Sequence, residues 1–188
     1  MPPAAPTPPP PQPPKNKPLW ENRFSRPSPE DLLSELPKPA STLADALRSG
    51  LTSSHRFLER LTWQGIPWRW SFLFTPNPAT EPAAAKNAGL SLYLIPAPTK
   101  LEVTLTLPDT SLSQVLAKKQ PKTLKETLAT ASLVGLQRFV RWEPTAKSHT
   151  DEILAFIDQL IVLASPKPDP KSDAKTDAKP DTKAGSKR

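Results

Sequence analysis

The sequence predicts an α+β domain in which helices pack on one face of a mostly antiparallel four-stranded sheet. Apolar residues recur at helical spacing in several stretches. Between these stretches apolar and polar residues alternate, as they do in half-buried strands. All leucine, isoleucine, valine, phenylalanine, tryptophan and tyrosine residues of the 188-residue chain fall between positions 19 and 164. The middle of the chain therefore holds enough apolar side chains for one core.

Helix signals appear first along the chain. Ser28, followed by Pro29 and Asp31, is typical of a capped helix start. From residue 41 onward, leucines at helical spacing predict a longer helix that continues to Leu61 and includes His55. Later apolar stripes predict helices in 109–116, 121–131 and 151–163. The last of these is expected to dock on the apolar face of the sheet.

Four strands are predicted from alternation and from apolar runs. They cover residues 68–74, 90–95, 101–107 and 138–142. In the first strand, alternation places Trp68 and Trp70 on the same face as two phenylalanines, and we expect all four in the core. The alternative is that the two tryptophans stack on nucleobases. The short turn at 96–99 predicts an antiparallel hairpin between the second and third strands.

The two ends of the chain differ in composition from its middle. Residues 1–18 contain ten of the 27 prolines, and residues 165–188 repeat lysine and aspartate every few positions. Neither end contains leucine, isoleucine, valine, phenylalanine, tryptophan or tyrosine, so we expect a disordered Pro-rich arm at 1–18 and a disordered Lys/Asp-repeat tail at 165–188. A single α+β domain is predicted for 19–164. Most of the net charge of +7 belongs to the two ends, so the domain itself is almost balanced.

The ordered motifs resemble a known family. They are WENRF at 20–24, WRWSFLF at 68–74, LSLYLIP at 90–96, LEVTL at 101–105, GLQRFVR at 135–141 and the closing helix. This set is similar to the bacterial domain of unknown function 3788, with the YdhG-like α+β domains as more distant relatives. The resemblance covers residues 20–164 and implies an α+β fold and a bacterial origin, but no activity. The long connection at 75–88 departs from the tight turn that is usual in the family.

Several classes of chemistry find no support in the sequence. The chain has no cysteine and only five glycines, so thiolate metal sites, cysteine nucleophiles and glycine-rich phosphate loops are excluded or disfavoured. Its two histidines, His55 and His149, lack neighbours at metal-ligand spacing. We therefore predict no metal, no cofactor and no catalytic residue. The N-terminus lacks a secretory apolar segment and no run could span a membrane, so the expected location is the cytoplasm.

One candidate site remains, on the second face of the predicted sheet. If the strands align, Arg69, Tyr93, Glu102 and Arg141 share the side opposite the core. Such a group could line a shallow cleft for a small anionic or aromatic ligand. An ordinary solvated sheet face with cross-strand charge pairs is the alternative.

The sequence favours a non-enzymatic binding or accessory module over an enzyme. Its partner would be a small ligand or a protein held by the second face of the sheet, which carries both charged and aromatic residues. The alternative function is weak association with nucleic acid through the basic tail, which would depend strongly on salt concentration.

Overall fold

The computed structural model describes residues 18–66, 68–86, 89–117 and 120–164. The predicted Pro-rich arm, except Pro18, and the predicted Lys/Asp tail lie outside these residues. A short 3-10 helix, Leu19–Glu21, comes first. The described α-helices are α1 (Pro29–Ser34), α2 (Lys38–Thr52), α3 (Pro82–Lys86), α4 (Asp109–Leu116), α5 (Lys122–Ala129) and α6 (Lys147–Ala164). The described strands are β1 (Phe57–Trp63), β2 (Trp70–Pro76), β3 (Ser91–Pro96), β4 (Leu101–Pro108), β5 (Ser132–Val134) and β6 (Gln137–Trp142).

The sheet has six strands in the described residues, so the prediction of a four-stranded sheet is wrong. In the described residues the strand order is β1-β2-β3-β4-β6-β5, and every neighbouring pair is antiparallel. The four predicted strands correspond to β2, β3, β4 and β6, which form the centre of the sheet. The two additional strands, β1 and β5, are its edges.

The prediction of a helix that continues to Leu61 is wrong, because residues Phe57–Trp63 form strand β1. Helix α2 ends at Thr52, and His55 follows in a turn with a φ of 53°, so His55 is not in a helix. The strand then buries Phe57 and Leu61, which are four residues apart. A spacing of four fits one face of a helix and one face of a strand equally well. The leucine spacing therefore could not reveal where the helix stopped.

The sequence pattern does not predict strand β5, because this strand has no buried face. All three of its residues are exposed. It joins β6 through a two-residue turn in which Gly135 has a φ of 62°. Tight hairpin turns commonly require a positive φ, and glycine adopts one without strain. Gly135 therefore turns the chain into the β5–β6 hairpin.

The helices pack on one face of the sheet and form a single apolar core with it. This covered face includes Phe72, Leu94, Val103 and Leu105, all of which are almost fully buried. The apolar stripe predicted on the last helix is also buried, which confirms that α6 docks against the core. The stripe consists of Ile153, Ile157, Leu160 and Ile161, together with Phe156.

Helices α2 and α6 approach each other closely at Gly50. A Cβ atom at this position would lie 2.6 Å from the nearest side-chain carbon of Leu154. Glycine is therefore used here for close packing, and it does not break α2, which continues to Thr52.

No helix in the described part of the chain is long and apolar enough to cross a membrane.

Candidate functional site

The second face of the sheet has no helix of the described residues packed on it, and we call it the open face. Its central row crosses five strands and is formed by Arg60, Leu73, Tyr93, Thr104 and Arg141, each paired in register with the next. None of these side chains belongs to the apolar core. Because side chains alternate along a strand, the row lies opposite the buried residues of the covered face.

The chain reverses direction just before β2 and brings Trp68 over the open face. Arg69 has a φ of 54°, in the left-handed region that non-glycine residues seldom occupy. The Ser71 hydroxyl, on the open face, donates a 2.6 Å hydrogen bond to the Trp68 carbonyl. The strict alternation of β2 therefore begins only at Trp70.

Trp68 lies against two aromatic rings of the open face. Its ring centroid is 4.8 Å from that of Tyr93 on β3 and 6.3 Å from that of Phe139 on β6. Because β4 runs between those strands, the indole lies over β4. The prediction that Trp68 belongs to the core is therefore wrong, whereas Trp70 and its two phenylalanine neighbours are buried in the core.

The hydroxyl of Thr104, in the middle of the central row, has no hydrogen-bond partner. Thr104 is fully buried, and its Oγ1 is among the few unpaired buried polar atoms of the described residues. The next residue on this side of β4, Thr106, donates to the Gly89 carbonyl at 3.0 Å. A buried hydroxyl without a partner costs about 1–3 kcal/mol. This unpaired hydroxyl therefore lies beneath the surface of the open face, out of contact with solvent.

The two ends of the central row are arginines. Arg60 and Arg141 are both exposed, and neither forms an ion pair with another described residue. Four strand spacings separate them, which corresponds to about 19 Å. Arg48, Arg56 and Arg138, by contrast, each pair with a carboxylate. The open face therefore has a free positive charge at each side of its aromatic rings.

Of the four residues predicted for the site, three share the open face. Tyr93 and Arg141 lie in the central row, and Glu102 lies two residues before Thr104 on β4. Arg69 does not join them. It is in the turn before β2, and its guanidinium forms a 2.9 Å ion pair with Glu21 of the 3-10 helix.

Glu102 belongs to a charge cluster at the β3–β4 turn. The Lys100 ammonium lies 3.0 Å from Glu102 and also bonds the Glu143 carboxylate. The hydrogen bond to Glu143, followed by the one to Glu102, raises the pKa of Lys100 above its ordinary value. Lys100 therefore stays charged at neutral pH and offsets the negative charge of Glu102 beside the central row.

Burial raises the pKa of Tyr93 above its ordinary value, and a hydrogen bond with Ser91 opposes this shift only in part. A raised pKa keeps the phenol protonated well above neutral pH. Tyr93 can therefore donate a hydrogen bond to an acceptor on the open face.

The sequence did not identify Arg60 or Phe139 as members of this surface. Arg60 could not be identified because the sequence predicts a helix where the structure has β1. Phe139 could have been found, because it alternates with Val140 in the same way as Arg141 does, and it therefore shares a face with Arg141.

The residues that the structure describes include no group of three or more side chains positioned to hold a metal ion. His149 lies near the start of α6, where its Nδ1 accepts a 3.3 Å hydrogen bond from the Thr145 backbone. This contact is typical of a helix start.

No protein-family profile matches the chain, and neither the curated proteins nor the solved structures include a match.

Proposed function

We propose that the protein is a non-enzymatic binding module that holds a small planar anion on its open face. The observation that supports this most is the composition of one row across the sheet. It has an arginine at each end without an ion-pair partner among the described residues, and Tyr93 between them. The rings of Trp68 and Phe139 extend this aromatic surface on the same face.

The charge of the face favours an anion. Arg60 and Arg141 have no carboxylate partner among the described residues, so a bound anion would not compete with an existing ion pair. The guanidinium group is planar and presents forked donors that match carboxylate and phosphate oxygens. Two acids near the row, Glu102 and Glu143, are already held by Lys100.

The aromatic rings favour a planar ligand. Trp68, Tyr93 and Phe139 form a continuous ring cluster that is only half-buried. Offset stacking of a further ring on such a cluster contributes about 0.5–1.5 kcal/mol beyond the area that it buries. A small ring system that carries one carboxylate or phosphate combines both kinds of contact.

The test is a thermal-shift titration of the full chain with two pairs of probes that differ in charge. Naphthalene-2-carboxylate is compared with naphthalene-2-carboxamide, and adenosine 5′-monophosphate with adenosine. A probe at about 100 times its Kd stabilises the folded state by about 2.7 kcal/mol. For a chain of this size, that corresponds to a rise in Tm of about 5–10 °C. We expect the anion of at least one pair to raise the Tm more than its neutral counterpart does.

Matched variants locate the binding. At least one of the variants Arg60→Gln and Arg141→Gln should reduce the shift caused by the anion, because a small ligand with one anionic group pairs with one of two arginines about 19 Å apart. Both variants should leave the Tm of the free protein nearly unchanged, because both side chains are exposed. Lys125→Gln, an exposed cation on α5, should leave the shift intact. The proposal fails if no probe raises the Tm at millimolar concentration. It also fails if the neutral probes act equally well, or if both arginine variants keep the full shift.

A further inference from the structure

A second concave site lies away from the open face, beside the start of the described chain. It is a cavity of about 670 Å³ between the segment that follows the 3-10 helix and the β1–β2 connection. Its apolar lining consists of Phe24, Trp63 and Ile66. Phe24 is 90% exposed and Ile66 is 87% exposed, so two large apolar side chains from separate segments project into the same space.

The walls of this cavity are held in place by contacts from both segments. The indole N–H of Trp70 donates a 2.7 Å hydrogen bond to the Asn22 carbonyl, and the Arg69 guanidinium pairs with Glu21 at 2.9 Å. The rings of Trp63 and Trp70 meet edge to face, with centroids 5.9 Å apart. These contacts fix the part of the cavity formed by Glu21, Asn22 and Trp63 before a ligand binds, which lowers the free-energy cost of binding.

The chemistry of the lining suits proline. The Trp63 ring offers a flat apolar surface, and so does the face of Phe24 opposite the Arg23 guanidinium, whose Cζ lies 5.2 Å from the ring centroid. Grooves for proline-rich peptides hold pyrrolidine rings on such surfaces. The indole N–H of Trp63 donates no hydrogen bond to any described residue. A polyproline II ligand has no internal hydrogen bonds, so its carbonyls are available to accept one from Trp63.

The chain itself contains a proline-rich segment. Residues 2–14, which lie outside the described residues, contain nine prolines and no charged side chain. They are joined through residues 15–17 to Pro18, which is three residues from Glu21 in the wall of the cavity. A ligand on so short a tether has an effective concentration in the millimolar range, so weak contacts suffice to hold it.

We propose that this cavity binds the proline-rich segment 2–14 of the same chain. The site is distinct from the open face, because no residue of the central row lines it. The proposal therefore stands or falls independently of the proposed function. A proline-rich segment of another protein would compete for the same cavity.

The experiment uses a spin label on the full chain. The chain has no cysteine, so Thr7→Cys creates a single attachment point for a nitroxide. The readout is the intensity of the five tryptophan indole N–H signals in a ¹⁵N-labelled sample, with Trp63 assigned through Trp63→Phe. We expect the Trp63 signal to lose most of its intensity. The Trp142 signal, on the strand four positions away across the sheet, should keep its intensity.

Two matched variants separate binding from the proximity that the tether alone creates. Replacing the four prolines at 8–11 with serine keeps the length of the tether and should restore most of the Trp63 signal. Phe24→Ser combined with Ile66→Ser should restore it as well, and because both side chains are exposed, this variant should fold normally. Signal loss that persists in the serine-substituted segment would mean proximity only and would overturn the proposal.

The remaining outcomes are equally decisive. A Trp63 signal as strong as that of Trp142 would show that the segment does not occupy the cavity. A sample that mixes spin-labelled ¹⁴N protein with unlabelled ¹⁵N protein detects contacts between copies. Loss of the Trp63 signal to the same extent in that mixture would assign the occupant to a second copy and contradict binding within one chain.

Discussion

The two faces of the sheet are formed by the same strands, but only one of them is covered by helices of the described residues. On the covered face, Phe72, Leu94 and Val103 are almost fully buried beneath the helices. On the open face, the residues one position further along these strands are Leu73, Ile95 and Thr104, and no helix of the described residues packs on them. Alternation places the two sets on opposite sides, so each strand contributes to both faces. Substitutions on the covered face should therefore change stability most, whereas substitutions of exposed open-face residues should change it little.

The energetic contrast between the faces is large. Full burial of a large apolar side chain contributes about 1.5–3 kcal/mol, so each covered-face residue accounts for a substantial part of a total stability of about 5–15 kcal/mol. Arg60 and Arg141 on the open face are exposed, and the folded state does not depend on them. The proposed function assigns these two arginines to ligand binding, and the variants described above test that assignment.

The largest expected difference between the faces involves two tryptophans that are two residues apart. Trp70 is buried on the covered face and donates to the Asn22 carbonyl, so Trp70→Ala should destabilise the protein by about 3–5 kcal/mol. Trp68 is half-buried and contacts the rings of Tyr93 and Phe139, so Trp68→Ala should cost about 1–2 kcal/mol. Urea denaturation of both variants measures the difference. Equal losses would mean that Trp68 also belongs to the structural core.

The covered face was largely predictable from the sequence. Strand β4 alternates apolar and polar residues along its whole length, and the structure buries its apolar positions as predicted. The Ser28 cap is also present, with its hydroxyl accepting a hydrogen bond from the Asp31 backbone at 3.1 Å. Both features are determined by residues close together in the sequence, and periodicity and capping rules describe such residues well.

The open face was predicted only in part. Tyr93, Glu102 and Arg141 follow from alternation within their own strands. The position of Trp68 could not be predicted, because it depends on the left-handed backbone of Arg69, which is stabilised by contacts that are not local in sequence. The sequence could not place Arg60 on the open face, because the leucine spacing predicts a helix where the structure has the edge strand β1.

A smaller effect should appear at alkaline pH. The pKa of Tyr93 is raised by burial, so the folded state favours the neutral phenol. The resulting stability is complete below pH 10, the ordinary value of the group, and is lost as the pH rises through the raised value. Lys100, whose pKa is raised by its bonds to Glu143 and then Glu102, adds to the loss in the same direction.

Thermal unfolding as a function of pH checks this expectation. The Tm should fall above about pH 10, and Tyr93→Phe should make the fall less steep because the phenol no longer ionises. Lys100→Gln is the matched variant for the second group. It should remove the part of the fall in Tm that comes from deprotonation of Lys100. If Tyr93→Phe leaves the alkaline slope unchanged, Tyr93 is not buried in the way the structure describes.

The most direct measurement of where a ligand binds is the ionisation of Tyr93, which is the only tyrosine of the chain. Tyrosinate absorbance therefore reports this one position on the open face. Without ligand, we expect its midpoint above the ordinary value of about 10. Naphthalene-2-carboxylate bound over the central row should raise the midpoint further, because a nearby negative charge disfavours the phenolate, and the neutral carboxamide should raise it less. A midpoint that saturating carboxylate does not move would contradict binding of planar anions by the open face.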